Sequence, residues 1–220
     1  MKKAIICIDR DGTMIYDAKD HLFLGKDPDW PSKVRILPGV VEGLRKLRNI
    51  PTASLYMITN QPGVAILDYP LLTVEKAHEV CRHVLDRIKA LGVPMDGYFL
   101  CPHADSEYVS KKPGVRFDPA LIHNCTCLKP SLDLVLDALK AENITADNAN
   151  VYVIGDRASD VLTALNIDGF GVLIPFENQP GEEEKVRRLD DQRHVFVAEN
   201  MIETAAFIAD REVRRKKHDR

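Results

Sequence analysis

No apolar run in this 220-residue chain approaches the roughly 18 to 20 residues that cross a bilayer, so no membrane partner is expected. The opening Met1-Lys2-Lys3, followed by Ala4-Ile5-Ile6-Cys7-Ile8, is too short for a signal peptide and runs straight into an aspartate. It reads as a first strand, and a cytoplasmic location is expected. An excess of one charge is also missing: 30 basic residues stand against 33 acidic ones, a net charge of −3. That balance gives no general attraction for nucleic acid, although Arg214-Arg215-Lys216-Lys217 is locally basic and reads as a frayed helix end. Five cysteines are an odd count and do not make a disulfide framework. There is no internal repeat and no low-complexity segment. Hydrophobic residues at 45% and charged residues at 29% describe a globular chain, not a disordered one. The length fits one domain, 1–220, as a monomer or small homo-oligomer.

What the chain does have is alternation. Short apolar runs at 4–8, 54–58, 97–100, 151–154 and 171–174 alternate with helical patterns at 39–49, 73–91, 131–142 and 159–166. The runs are nearly all apolar, which strands covered on both faces require. The expected architecture is α/β, a three-layer Rossmann-like sheet that is mostly parallel. Two excursions break the rhythm, a flap at 14–37 and a loop at 101–130. Both leave the C-terminal ends of strands, where open α/β sheets bind ligands. From about 177 to 220 the chain turns polar, with 194–197 as a possible edge strand and a helical pattern at 201–208.

The strand ends carry chemistry. The first strand runs into Asp9-Arg10-Asp11-Gly12-Thr13, where two carboxylates face one way only while the chain stays extended. Such a pair can hold Mg²⁺, attack and move protons; a strand-ending turn is the alternative. The second strand ends at Thr59-Asn60-Gln61, donors suited to phosphate oxygens or simply a loop start. The fourth leads to Gly155-Asp156-Arg157-Ala158-Ser159-Asp160, with Asp160 either part of the site or a favourable charge at a helix N-terminus. Lys129-Pro130 precedes the third long helix, where a lysine can neutralise a transferring phosphoryl group.

In this order and spacing, Asp9-x-Asp11-Gly12-Thr13, Thr59-Asn60-Gln61, Lys129-Pro130 and Gly155-Asp156-x-x-x-Asp160 resemble the four motifs of the haloacid dehalogenase (HAD) superfamily of phosphotransferases. The wording is similar to a narrower group, the histidinol-phosphate and D-glycero-D-manno-heptose 1,7-bisphosphate phosphatases. The resemblance covers residues 5 to 174 and implies a HAD-type fold without a large cap domain. It implies Asp9 as the nucleophile and Asp11 as the acid and base. Mg²⁺ would lie on Asp9, the Asp11 carbonyl and Asp156. Thr59, Asn60 and Lys129 would bind phosphate, with Asp160 supporting Lys129 or a metal-bound water. The implied substrate is a small phosphate ester, leaning towards histidinol phosphate, with the heptose bisphosphate second.

Cys101-Pro102-His103 and Cys125-Thr126-Cys127 offer three thiols and an imidazole, a closed tetrahedral set for structural Zn²⁺; buried cysteines beside an unrelated histidine is the alternative. The same group carries a Cys-x-His…Cys-x-Cys zinc loop here, which would pin the segment delivering Lys129. His123 is a possible decoy, and His21, His78, His83 and His194 read as surface or core residues. Two departures stand out. Leu128 replaces the arginine usual before the motif lysine, and the 104–124 stretch is long and carries Lys111, Lys112 and Arg116. Two non-enzymatic readings fit fewer residues. A phosphoacceptor receiver domain would need an aspartate where Cys101 stands, and a zinc-binding adaptor leaves Asp9, Asp11 and Asp156 without a role.

Overall fold

A computed structural model of the chain describes residues 2–218. The five apolar runs all form strands, with ends shifted by at most two residues: β1 (Lys3–Asp9), β2 (Ala53–Asn60), β3 (Gly97–Cys101), β4 (Ala149–Gly155) and β5 (Phe170–Leu173). A short β6 (Val195–Val197) adds the expected edge. The helices are α1 (Trp30–Lys33), α2 (Val40–Arg48), α3 (Val74–Ala90), α4 (Ser106–Ser110), α5 (Asp133–Ala141), α6 (Ala158–Leu165), α7 (Glu182–Arg187) and α8 (Met201–His218). Thr73 caps α3 by accepting from the Lys76 amide, which explains where that helix begins.

The strands form one six-stranded sheet in the order β3-β2-β1-β4-β5-β6, and every pairing is parallel. Alternation along β1 divides the core into two layers. Ala4, Ile6 and Ile8 pack with Leu44 and Leu47 of α2, Val80, Val84 and Ile88 of α3, and Ala205 and Ile208 of α8. Ile5 and Cys7 face the other way, against Leu134, Val135, Ala138 and Leu139 of α5. This is the three-layer arrangement that the unbroken apolar strands require. Cys7 and Cys81 are both buried in these layers.

The excursions are tied down without becoming a separate cap. The flap closes through an isolated Ile15–Ile36 bridge and places Trp30 in the core against His83. The 104–124 stretch contains α4 and is held by the bridges Ile66–Phe117 and Ala104–Ile122. Among the described residues no helix is long and apolar enough to cross a membrane. Of the basic tail, residues 219 and 220 lie outside the described residues.

Candidate active site

β1 lies between β2 and β4, so connections leaving β1 and β4 diverge and open a crevice at their carboxyl ends. That switch point is where open α/β sheets place ligands. Asp9 ends β1, and Asp156 follows the last residue of β4. The Asp9, Asp156 and Asp160 carboxylates offer oxygens within 4.8 Å of one another, all three residues being buried.

One ammonium group faces this acidic cluster. Lys129 Nζ donates to Asp9 Oδ1 at 2.5 Å and to Asp160 Oδ1 at 2.6 Å, and its own residue is 5% exposed. Asn60 fixes the lysine's backbone, accepting from the Lys129 amide at 3.0 Å and donating to its carbonyl at 3.3 Å. The Asn60 side chain expected to face phosphate is thus engaged in holding Lys129. Asp160 combines both of its sequence readings: its Oδ2 accepts from the Arg157 amide at the start of α6 while its Oδ1 binds the lysine. Gly155 makes this possible, because a Cβ there would lie 2.1 Å from Asp160 Cγ.

Three buried carboxylates share the Lys129 ammonium and the field of the Arg157 guanidinium, which leaves the cluster short of positive charge. Burial, opposed by Lys129 and reinforced by Asp160 and Asp11, raises the Asp9 carboxyl to about 7. Burial together with Asp9 and Asp160 raises Asp156 as well. Against burial, Asp160 and Asp9 hold the Lys129 ammonium protonated. A buried, under-neutralised set of carboxylate oxygens has the donor chemistry of a Mg²⁺ site. Asp156 has little else to satisfy it, with Thr13 Oγ1 3.5 Å from its Oδ1.

Asp11 does not join this cluster. β1 ends at Asp9 and Gly12 turns the chain at φ +82°, with Asp156 lying where a Cβ would go. The Asp11 carboxylate therefore swings towards Arg10, whose Nη2 donates to its Oδ2 at 2.8 Å and whose Nε lies 3.1 Å from both oxygens. Gln61 completes a clamp: its Nε2 donates to Asp11 Oδ2 at 2.8 Å and its Oε1 accepts from Arg10 Nη2 at 2.8 Å. Although burial pushes the Asp11 carboxyl up, Arg10 and Gln61 hold it below the usual carboxylate range. Gln61 also donates to Thr59 Oγ1 at 2.7 Å, which leaves the Thr59 hydroxyl hydrogen free to point at a ligand. The sequence reading missed Arg10, which is 1% exposed; an arginine between two carboxylates was the available signal.

These groups floor a cleft of about 430 Å³. Its walls include His21 and Phe23 from the flap, Tyr108 and Lys111 from the long loop, Leu128, and Arg157. His21, expected on the surface or in the core, instead faces this cleft, with Nδ1 2.6 Å from Asp17 Oδ2. Of the three basic loop residues, only Lys111 lines the cleft, and it pairs with Glu107 at 2.5 Å. Arg116 pairs with Asp68, and Lys112 lies over the Tyr108 ring.

The four predicted zinc residues also converge. The Cys101, Cys125 and Cys127 thiols and the His103 Nδ1 lie within 4.8 Å of one another. Cys101 and Cys127 Sγ are 2.7 Å apart, Cys125 and Cys127 3.2 Å, and His103 Nδ1 lies 3.2 Å from Cys127. Burial raises Cys127 to about 11; Cys125, accepting from Cys127 and Cys101, is held low despite its own burial. Three sulfurs and one imidazole nitrogen around a common centre fit a tetrahedral thiophilic metal. His123 stacks on His103 at 4.1 Å between ring centroids and is not one of the four.

Comparison with known proteins follows the same lines. No family model matches the chain. It is 31% identical over 167 residues to the histidine biosynthesis bifunctional protein HisB of Campylobacter jejuni strain 81-176, covering 76% of this chain and 40% of that protein. The HisB of Legionella pneumophila strain Lens is 28% identical over 208 residues, covering 94% of this chain and 51% of the relative. The chain thus spans about half or less of the curated relatives it matches. Among solved structures, the D,D-heptose 1,7-bisphosphate phosphatase of B. bronchiseptica, complexed with magnesium and phosphate, superposes with a TM-score of 0.69 at 20% identity, covering 94% of this chain and 99% of that one. The phosphatase of the same name from Burkholderia thailandensis gives 0.53 at 15% identity, covering 94% and 98%. These likenesses establish the fold.

Proposed function

We propose that this chain is a member of the haloacid dehalogenase superfamily and a Mg²⁺-dependent phosphomonoester hydrolase working through an aspartyl-phosphate, a reading supported by its HisB relatives and by the fold it shares with the heptose bisphosphate phosphatases. The observation that carries the reading is the single ammonium of Lys129 set between Asp9 and Asp160 at the sheet's switch point, with Asp156 beside them.

Asp9 and Asp156, with the Asp11 carbonyl, would hold Mg²⁺, which supplies the positive charge that lets a carboxylate meet a phosphate dianion. Asp9 then attacks phosphorus. Lys129 favours the ionised form of Asp9 against its burial, aims it, and offsets charge building on the phosphoryl oxygens. The Thr59 hydroxyl donates to a phosphoryl oxygen. Asn60 acts through Lys129, whose backbone it fixes. Asp11, held ionised by Arg10 and Gln61, suits the base that takes a proton from the water in the second half-reaction. To act as acid on the leaving alkoxide it must first gain a proton, which loosens its hold on Arg10.

We read the Cys101, His103, Cys125 and Cys127 set as a structural Zn²⁺ site that stiffens the segment leading to Lys129. Histidinol phosphate heads the substrate candidates, supported by the HisB relatives. A heptose 1,7-bisphosphate comes second, supported by the structural neighbours. A cytoplasmic, single-domain protein, monomeric or a small homo-oligomer, belongs to the same reading. The test is phosphate release from a panel holding both esters and phenyl phosphate, with Mg²⁺ and with chelator. Chelator-sensitive release is expected, and a folded, Mg²⁺-supplied protein inert on the whole panel would overturn the reading.

A further inference from the structure

The cleft has one wall that the reaction as described does not use. It comes from the 104–124 excursion. Tyr108 of α4 lines the cleft, its ring held edge-on to Phe117 at 6.1 Å between centroids and covered by Lys112 at 5.0 Å. Its hydroxyl oxygen is buried and has no hydrogen-bond partner. Buried hydroxyls are almost always paired, because leaving one unpaired forfeits the bonds it made to water. One carried by a cleft-lining residue gains a partner if a small adjustment of α4 opens it to an entering ligand.

The surroundings say what kind of partner. Burial pushes the Tyr108 phenol up, so the hydroxyl stays protonated and can donate. The Arg157 guanidinium acts against that rise. Arg157 also lines the cleft, and among the described residues no carboxylate lies within 4 Å of it in the way that Glu107 pairs with Lys111 or Asp17 with His21. A guanidinium can only donate. Among the described residues these two cleft-lining donors lack a hydrogen-bonded acceptor, although Asp156, Asp9 and Asp160 act on Arg157 through their charge, while the acidic residues Asp17 and Glu107 on the same walls already hold partners. At the position before Lys129, Leu128 offers no polar group.

We propose that Tyr108 is a specificity-determining residue: its hydroxyl donates to an oxygen acceptor, phosphate or carboxylate, on the leaving alcohol of the substrate. The 104–124 excursion, and not the position before Lys129, then selects the ester. This rests on the phosphatase reading and narrows it, favouring the heptose ester over histidinol phosphate, whose leaving alcohol carries an amine and an imidazole but no phosphate or carboxylate.

The experiment measures binding, so that it does not depend on turnover. Mg²⁺-supplied Asp9→Asn protein and the Asp9→Asn, Tyr108→Phe double variant are titrated by calorimetry with D-glycero-D-manno-heptose 1,7-bisphosphate, 3-phosphoglycerate and phenyl phosphate. The heptose ester tests a phosphate acceptor and the glycerate a carboxylate. The loss of one hydrogen bond to a charged acceptor should weaken at least one of them about tenfold and leave phenyl phosphate unchanged. The thermal midpoint should hold or rise, since the substitution keeps the ring and its contacts and removes an unpaired hydroxyl. Equal affinities in the two proteins for every ester, or no binding of either oxygen-bearing ester, would overturn the proposal. Phenyl phosphate hydrolysis by the unsubstituted protein separately reports whether the phosphatase reading stands.

Discussion

Asp160 holds Lys129 with one oxygen and the first turn of its own helix with the other, 2.6 Å to the Lys129 Nζ and 3.2 Å to the Arg157 amide. The carboxylate cannot drift towards the ammonium without uncapping α6, so a lysine from a loop is referenced to a rigid element of the sheet. The placing of the Lys129 ammonium against Asp9 thus comes from a residue at the start of α6.

Asp9→Asn should abolish phosphate release while leaving the fold intact, because the amide oxygen is no nucleophile and the side chain keeps its shape. Circular dichroism and a discontinuous phosphate assay check both halves. Retention of more than a few per cent of the rate would remove Asp9 from the nucleophile's role.

Lys129→Met strips the ammonium from three buried carboxylates. Removing one partner of a buried ion pair costs about 3–5 kcal/mol, and urea unfolding of chelator-treated protein should show a loss of that order. Added Mg²⁺ should restore part of it by supplying the missing charge. An unchanged urea midpoint would mean that the pair does not govern the charge balance of the site.

Gly155→Ala tests the same relationship from the backbone. The new Cβ would sit 2.1 Å from Asp160 Cγ, so the carboxylate must move and Lys129 with it. We expect at least a tenfold loss of rate together with a lower thermal midpoint. Normal kinetics in a destabilised protein would show that Lys129 holds its place without Asp160.

The pH dependence of stability follows from Asp9. An ordinary aspartate titrates near 3.9, and in the folded, metal-free protein Asp9 is raised to about 7. Between those values the folded state binds more protons than the unfolded one, so this contribution to stability is lost as pH rises. Thermal midpoints in chelator should therefore fall from about pH 4 towards about pH 7 on this account. Mg²⁺ should flatten the slope, and a slope indifferent to Mg²⁺ would assign it to other groups.

Cys125→Ser removes the sulfur that accepts from its two neighbours. Bound zinc, measured by atomic emission, should fall, and the 101–130 segment should become sensitive to limited proteolysis. A protein with unchanged metal content and protease resistance would leave the four residues as a buried cluster without a metal.

The sequence by itself determined the strands, the longer helices and which strand ends carry carboxylates. Both signals are local: an unbroken apolar run such as Ala4–Ile8 needs cover on two faces wherever it lies, and Asp9 and Asp156 follow such runs directly. It also brought Cys101, His103, Cys125 and Cys127 together, because two short ligand pairs bracketing one loop have few ways to be used.

Only the tertiary structure decided where the side chains turn. Gly12 bends the chain one residue beyond Asp11, so the Asp11 carboxylate meets Arg10 and Gln61 and stays out of the acidic cluster, an outcome set by contacts 50 residues apart in sequence. Asn60 reads as a phosphate ligand until Lys129, distant in sequence, is seen to occupy its amide. The long loop reads as three basic residues, yet among the described residues it is also the source of Tyr108, a cleft-lining residue whose hydroxyl is buried without a partner. Periodicity and composition report what each segment must bury. Partner choice among polar groups depends on distances across the fold, and those exist only once the sheet has set them.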